Sequence, residues 1–268
     1  MAKLKYTLKN DILFKMLFVK YPDLLKKLIS ELLGISYKSI DQFEITNQEM
    51  PPETIGSKFC KLDINMTVNG QRVNLEIQVD NEGDFPERSL FHWAREYSTA
   101  LGEGEDYSLL PRTIIIGIVY FKMFRCKEFH SEFQALEVTR HTQLTDNLNI
   151  HFFELPKLPK MVNADKSLEL WLSLFKAKTE EELEKIEALG VSVMKEAIGA
   201  YRHVSATPEF RELERMRSKA GHDEAQALKK ARLDEQKKWA SVVSDNKATI
   251  AEQAALIAEL RTRLGEDK

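Results

Sequence analysis

Two acidic residues, Asp63 and Glu76, lie in the segment FCKLDINMTVNGQRVNLEIQVD, residues 59–80. Asn69 and Gly70 in its middle predict a hairpin with a type I′ turn, because both central residues of that turn need positive φ. A two-residue turn fixes the register, and in that register Asp63 lies directly opposite Glu76. Paired side chains have Cβ atoms about 4.5–5.5 Å apart, so two carboxylates there repel unless a cation lies between them. The hairpin therefore predicts a carboxylate site for a hard divalent ion such as Mg²⁺.

The flanks of the turn alternate between apolar and polar residues, which supports this register. The apolar face closes on itself, because Met66 meets Val73 and Ile64 meets Leu75. The alternative to a metal site is a solvated hairpin face that tolerates two like charges at some cost in stability. The hairpin by itself leaves both interpretations open.

Residues outside the hairpin add candidates for the same site. Asp11 begins a predicted helix, where it is either a metal ligand or a charge stabilised by the helix dipole. Lys15 lies one turn later and is either a nucleic-acid contact or a partner of Asp11. A predicted helix that follows the hairpin places Arg88 and Arg95 on one face, and arginine suits bidentate contacts to phosphate. For these two arginines the alternative is an ordinary solvated face.

The order of predicted elements indicates a mixed α/β core followed by helices. Two helices occupy residues 8–33, and Asp84 to Leu101 is a third, which begins with a capping box at Asp84 and Glu87. Thr113 to Phe121 is a nearly continuous apolar run, as expected for a strand buried on both faces. The other predicted strands are Phe43–Glu49, Phe59–Val68, Gln71–Val79, 128–138 and 148–155. We expect a nuclease-like core in residues 1–160, a helical extension in 161–207 and a long charged helix in 208–268.

The C-terminal helix carries an apolar residue every seven positions, namely Val243, Ile250, Ile257 and Leu264. Of the matching positions three residues on, Asn246 and Gln253 are polar and Leu260 is apolar, and residues 209–238 alternate in charge with few large apolar groups. This pattern predicts a short coiled coil that makes a homodimer or higher homo-oligomer through residues 240–265. The alternatives are a helix packed on the core and a partly disordered tail.

The composition excludes several classes of protein. The chain has 268 residues, and 39 Lys and Arg against 42 Asp and Glu give a net charge of −3, so bulk positive charge does not bind nucleic acid. No apolar run is long enough to span a membrane, and the N-terminal residues lack a signal core. With only Cys60 and Cys126, and no CxxC, we expect a cytoplasmic protein without a disulfide framework. No HExxH, GxxxxGK[ST], GxGxxG or GxSxG motif occurs, so we expect no zinc site, nucleotide cofactor or hydrolase elbow.

The order of the motifs resembles that of the PD-(D/E)XK nuclease superfamily: an acidic first helix, a strand Asp, a strand Glu-x-(Lys or Gln) and a helix. Three segments are similar to the recombination-promoting nuclease and transposase family. They are NDILFKMLF, KLDINMTVNGQRVNLEIQV and RSLFHWAREYSTALGEGEDY. The resemblance covers about residues 8–155, and more weakly the helices to about 205. It implies a restriction-endonuclease-like mixed sheet flanked by helices, and an endonuclease that acts on DNA with Mg²⁺ or Mn²⁺.

The resemblance assigns roles to four positions of this chain. Asp63 and Glu76 match the two strand acids that hold the metal ion. Apart from the resemblance, we expect the backbone carbonyl of Ile77 to complete the shell, because it lies between Glu76 and Gln78. Asp11 matches the acidic position of the first helix, near a second ion. Gln78 takes the place of the superfamily lysine.

Two positions depart from the superfamily pattern, because Leu62 replaces the proline and Gln78 the lysine. Glutamine does not titrate near neutral pH, so it only orients a water or a phosphate oxygen, and water activation falls to the metal. Lys61, opposite Gln78, could supply the missing charge, although we favour an ordinary surface lysine. The alternative function is a non-catalytic nuclease-like module that binds DNA or a partner protein and assembles through its coil. RNA is a further possible substrate of the enzyme.

Overall fold

The computed structural model describes residues 3–47 and 63–265. Helices and strands alternate along the chain in the order predicted. The helices are α1 (Asp11–Lys20), α2 (Pro22–Leu33), α3 (Phe85–Ser98), α4 (Ser167–Lys176), α5 (Glu180–Ala188), α6 (Ser192–Ala206) and α7 (Pro208–Leu264). The strands are β1 (Phe43–Ile45), β2 (Ile64–Val68), β3 (Gln71–Gln78), β4 (Thr113–Val119), β5 (His130–Phe133) and β6 (Leu148–Glu154). The predicted mixed α/β class with a helical C-terminal region is confirmed.

Local signals in the sequence set the ends of the first two helices. The Asn10 side chain accepts a hydrogen bond from the Leu13 amide at 2.9 Å, which caps α1. Pro22 occupies the first turn of α2, where its missing N–H costs nothing, and Gly34 ends that helix with a φ of 64°. At α3 the predicted capping box is wrong, because the Asp84 side chain makes no capping hydrogen bond.

The sheet has the strand order β1-β2-β3-β4-β6-β5. The strands β3, β4 and β6 are parallel to one another, and the outer strands pair antiparallel. Every residue of β4 is buried, as the apolar run predicted for a central strand. The sheet thus places β3, with Glu76, between the hairpin partner β2 and the central strand.

Each face of the sheet packs on a different set of helices. Alternate residues such as Leu75 of β3 and Ile116 of β4 enter a large core shared with α1, α2, α4, α5 and α6. The other face forms a smaller core with α3, made of Phe85, Ile115, Val119, Ile150 and Phe152. Asn74 and Glu76 alternate with Leu75 along β3, so their side chains lie on the α3 face.

The N-terminal residues are joined to helices that lie far along the chain. The Leu4 amide donates to the Lys178 carbonyl at 2.8 Å, and the Tyr201 hydroxyl donates to the Tyr6 carbonyl. The large core includes Trp171 of α4 beside the buried residues of α1. Residues before and after the sheet therefore complete one core together.

The chain divides into two compact units, Met1–Glu214 and Arg215–Lys268. The first unit contains the sheet and the start of α7, where Phe210 is fully buried. The second contains the rest of α7, on which large apolar residues such as Ile250 and Ile257 are exposed.

Among the described residues, no helix combines the length and the apolar character needed to cross a membrane.

Candidate active site

The hairpin has the turn and the register that the sequence predicts. Asn69 and Gly70 adopt φ values of 48° and 76°, as a type I′ turn requires. The paired residues include Ile64 with Leu75 and Val68 with Gln71. Continuing this register by one residue places Asp63, which immediately precedes β2, opposite Glu76. Lys61, the predicted partner of Gln78 across the hairpin, lies outside the described residues, as do Cys60 and Leu62.

The Asp63 carboxylate is directed to the same face of the sheet as Glu76. Its Oδ2 accepts a hydrogen bond from the Nδ2 of Asn74, a residue that is only 4% exposed. Asn74 and Glu76 are two residues apart on β3, so their side chains leave the strand on one face. The hydrogen bond therefore brings Asp63 to the face on which Glu76 is buried.

Three asparagines fix Asp63 and its neighbour. Asn47 donates from Nδ2 to the Asp63 carbonyl at 3.0 Å and accepts the Asn65 amide at 2.8 Å. Asn74 also donates to Oδ1 of Asn65 at 2.6 Å. Sequence analysis did not identify these positioning residues. The available signal was an asparagine on each strand of the hairpin at the polar-face position between the acidic pair and the turn, namely Asn65 and Asn74.

Glu76 is 5% exposed, and an arginine of α3 contacts its carboxylate. Nη2 of Arg88 lies 3.3 Å from Oε1 of Glu76 and donates at 2.6 Å to Oε1 of Gln78. On its outer side Nη1 of Arg88 lies 3.3 Å from Oε2 of Glu82. Arg88, predicted from sequence as a phosphate contact, is therefore placed against the second strand acid.

Gln78 is held by hydrogen bonds at both ends of its amide. Nε2 donates to the Asp80 carbonyl at 2.8 Å, while Oε1 accepts from Arg88. The Gln78 carbonyl accepts the Tyr120 amide at 3.0 Å. Successive carbonyls of a strand point in opposite directions, so the Ile77 carbonyl points away from β4, to the side of the sheet on which Asp63 lies.

A glycine of β4 allows α3 to start close to the sheet. Gly117 pairs with Glu76, and the Phe85 ring at the start of α3 lies above it. A Cβ at Gly117 would be 2.8 Å from Cε1 of Phe85 and 3.1 Å from Cδ1 of Phe152. Because Arg88 comes one turn after Phe85, this close approach sets the height of the guanidinium above β3.

The remaining predicted residues lie on α1 and α3. Asp11 is the first residue of α1, and its Oδ1 accepts the Ile12 amide at 3.0 Å. Nζ of Lys9 lies 4.8 Å from the centre of the Tyr120 ring, which places the start of α1 at the Gln78 end of β3. The Lys15 residue of α1 is buried, with 3% of its surface exposed, whereas Arg95 of α3 is exposed. Of the predicted phosphate contacts, Arg95 is open to solvent and Lys15 is not.

The donor set on the α3 face suits a hard divalent ion. Two carboxylates and the amide oxygen of Asn74 lie on this face, and Oδ1 of Asn74 is buried with no hydrogen-bond partner among the described residues. In the described part of the chain, no three His, Cys, Asp or Glu side chains converge as a metal site. Mg²⁺ needs only one or two carboxylates because it keeps several waters. The residues present therefore fit such an ion through Asp63 and Glu76.

A second polar cluster lies on the opposite face, at the β5–β6 edge. Nε2 of His130 and Nδ1 of His151 are 3.0 Å apart, and their rings stack with centroids 5.3 Å apart. Burial lowers the pKa of His151 to about 4, although the nearby Glu132 carboxylate opposes this shift. Burial also lowers the pKa of His130. This pair is a structural feature of the sheet edge that favours neutral rings.

A family model described as PD-(D/E)XK nuclease family transposase matches residues 8–231. The matched stretch contains α1, the hairpin, α3, the rest of the sheet and the helices up to the first part of α7. Comparison with the curated proteins gave no match, and comparison with the solved structures also gave none.

Proposed function

The chain belongs to the PD-(D/E)XK nuclease family transposases, and from this membership we propose that it is an endonuclease that hydrolyses phosphodiester bonds in DNA. Nucleases of this family generally use divalent metal ions. The observation that carries the proposal is the location of Asp63 and Glu76 on one sheet face, where Asp63 accepts a hydrogen bond from Asn74, two residues before Glu76 on β3. We assign the chain to the recombination-promoting type on the motifs of its hairpin and α3.

In this proposal Asp63 and Glu76 would hold Mg²⁺ or Mn²⁺ together with the Ile77 carbonyl, and Asp11 would be a ligand of a second ion. A bound ion of this kind lowers the pKa of its water and neutralises charge on the phosphate. Gln78 positions the attacking water. Among the described residues its amide uses one N–H and one lone pair, which leaves one of each for a water or a phosphate oxygen.

The nuclease assignment is tested by plasmid nicking. We expect Asp63→Ala to abolish Mg²⁺-dependent nicking, while circular dichroism and Tm show that the fold survives. Asp41→Ala removes an exposed carboxylate next to the hairpin and is the matched control, which should nick like the wild type. Equal nicking by Asp63→Ala would refute the assigned role. Parallel incubation with RNA of the same sequence decides between the two nucleic acids.

Metal binding separates the enzyme from a non-catalytic module. A ligand that binds only the folded protein raises its Tm. We expect millimolar Mg²⁺ or Mn²⁺ to raise the Tm of the wild type and to leave Glu76→Ala unchanged. No metal response together with intact DNA binding would favour the non-catalytic module.

We also propose that the chain forms a homodimer or higher oligomer through residues 240–265. The proposal is supported by Val243, Ile250, Ile257 and Leu264, which are exposed and recur every seven residues on α7. An apolar stripe at this spacing is the pattern of a coiled-coil seam. Sedimentation of the full chain tests it: Ile257→Asp should reduce the mass to that of a monomer, whereas an unchanged oligomer would move the interface elsewhere.

A further inference from the structure

We propose that Arg88 supplies positive charge to this site and that it competes with the metal ion for Glu76. In the metal-free protein the guanidinium neutralises the Glu76 carboxylate. When a divalent ion takes that carboxylate, the guanidinium is released to bind the phosphate of the substrate. This inference rests on the proposed function and adds a role that the strand motif does not contain, because Gln78 is neutral.

The contacts of Arg88 place its charge inside the site rather than in solvent. Its side chain is 18% exposed, and Nη2 lies between Oε1 of Gln78 at 2.6 Å and Oε1 of Glu76 at 3.3 Å. The contact with Glu82 on the outer side is made to a carboxylate that is 65% exposed, so solvent screens it. The inner contacts therefore dominate the placement of the guanidinium.

One donor of the guanidinium makes no hydrogen bond within the described part of the chain and becomes available to a substrate once the guanidinium leaves Glu76. Nε of Arg88 is buried and has no hydrogen-bond partner among the described residues. An unsatisfied buried donor costs free energy, and it is satisfied when an acceptor arrives. The planar guanidinium pairs Nε with an Nη in the geometry that matches two oxygens of a phosphate. A phosphate bound beside Glu76 would use this edge.

Charge makes the contact with Glu76 and the binding of a metal ion oppose each other. A divalent ion on Glu76 is repelled by the guanidinium that contacts the same carboxylate. Coupling between two bound groups is reciprocal, so Arg88 weakens metal binding as much as the metal weakens the Arg88–Glu76 contact. The bond to Gln78 at 2.6 Å does not depend on Glu76 and keeps the displaced guanidinium at the site.

The test measures Mn²⁺ affinity by calorimetry and DNA affinity by fluorescence anisotropy in Ca²⁺, on the full chain. We expect Arg88→Met to bind Mn²⁺ at least about tenfold tighter and DNA at least about fivefold more weakly, since it removes one nearby positive charge and one phosphate ligand. Arg88→Lys keeps the charge and should bind Mn²⁺ like the wild type. Arg95→Met removes an exposed arginine two turns later on α3, and should leave Mn²⁺ affinity unchanged.

The outcomes separate this inference from the nuclease assignment. If folded Arg88→Met binds Mn²⁺ no more tightly than the wild type, Arg88 does not compete with the metal ion and this inference is refuted. The nuclease assignment would still stand in that case, provided that Mn²⁺ binding by the wild type depends on Glu76. Absence of Mn²⁺ binding in both proteins would overturn both. Arg88→Gln keeps hydrogen bonding to Gln78 without the charge, and it gives the same test if the methionine variant does not fold.

Discussion

Replacing Gly117 by alanine tests how the site is built, because this glycine separates β4 from the start of α3. The added Cβ would lie 2.8 Å from Cε1 of Phe85, which is shorter than carbon–carbon van der Waals contact. Phe85 is 2% exposed and has little room to retreat. The ring, and with it the first turn of α3, must shift by several tenths of an ångström.

The expected cost follows from two opposing effects. Overpacking of a close-packed core typically costs about 1–3 kcal/mol. Alanine also restricts the unfolded chain more than glycine does, which recovers about 0.4–1 kcal/mol. The net loss of unfolding free energy at Gly117→Ala is about 1–2 kcal/mol, which corresponds to a fall in Tm of about 2–8 °C. Cleavage of DNA should also fall, because Arg88 follows Phe85 by one turn.

The assay is urea denaturation followed by circular dichroism, with a matched substitution as control. Gly199 lies in the interior of α6, is exposed, and has no atom within 4 Å of an added Cβ. Gly199→Ala should therefore stabilise the protein by about 0.5–1 kcal/mol. In a Phe85→Leu background, which removes the ring edge, Gly117→Ala should cost less than in the wild type.

Two results would refute this reasoning. One is a Gly117→Ala protein that is as stable as the wild type or gains stability as Gly199→Ala does. The other is an equal cost of Gly117→Ala with and without the Phe85 ring, which would place the strain elsewhere in the sheet.

Two further predictions concern side chains that sequence analysis did not single out. The folded pKa of His151 is about 4, below the unfolded value near 6.5, so the unfolded chain binds more protons between these values and stability falls as the pH drops through this window. From pH 7 to 4.5 the loss is about 2–3 kcal/mol in urea titrations, and His151→Asn should flatten it; an unchanged slope would assign the acid sensitivity to other groups. Asn74→Ala removes the donor to Asp63 and should lower stability by about 1–3 kcal/mol and weaken Mn²⁺ binding in calorimetry. Unaltered Mn²⁺ affinity in that variant would show that Asp63 needs no support from Asn74.

Local chemistry made much of the hairpin and the sheet predictable from sequence. Asn69 and Gly70 determine the turn, and period-two alternation determines the register, so the pairing of Ile64 with Leu75 needed no long-range information. The run from Thr113 identified the central strand because burial on both faces requires apolar residues throughout.

The contacts of the site were not predictable in the same way, because they depend on how distant elements pack. The Arg88–Glu76 contact exists only because α3 lies low over Gly117, and no local pattern encodes that height. The capping box at Asp84 was predicted from residue types and spacing alone, which carry no information on the tertiary position of the helix start. In the structure the Asp84 carboxylate makes no capping hydrogen bond. In the sequence Asn74 is one of several polar residues of the hairpin, and only the structure shows that its side chain donates to Asp63.

The union of the N-terminal segment with late helices has a consequence for synthesis on the ribosome. The Leu4 amide donates to the Lys178 carbonyl, and the Tyr6 carbonyl accepts from the Tyr201 hydroxyl. When the hairpin and α3 have left the ribosome but α6 has not, the apolar side of α1 is still exposed, because α6 forms part of the core that covers it. The core beneath Asp63 and Glu76 is thus completed late in translation, after roughly three quarters of the polypeptide has left the exit tunnel.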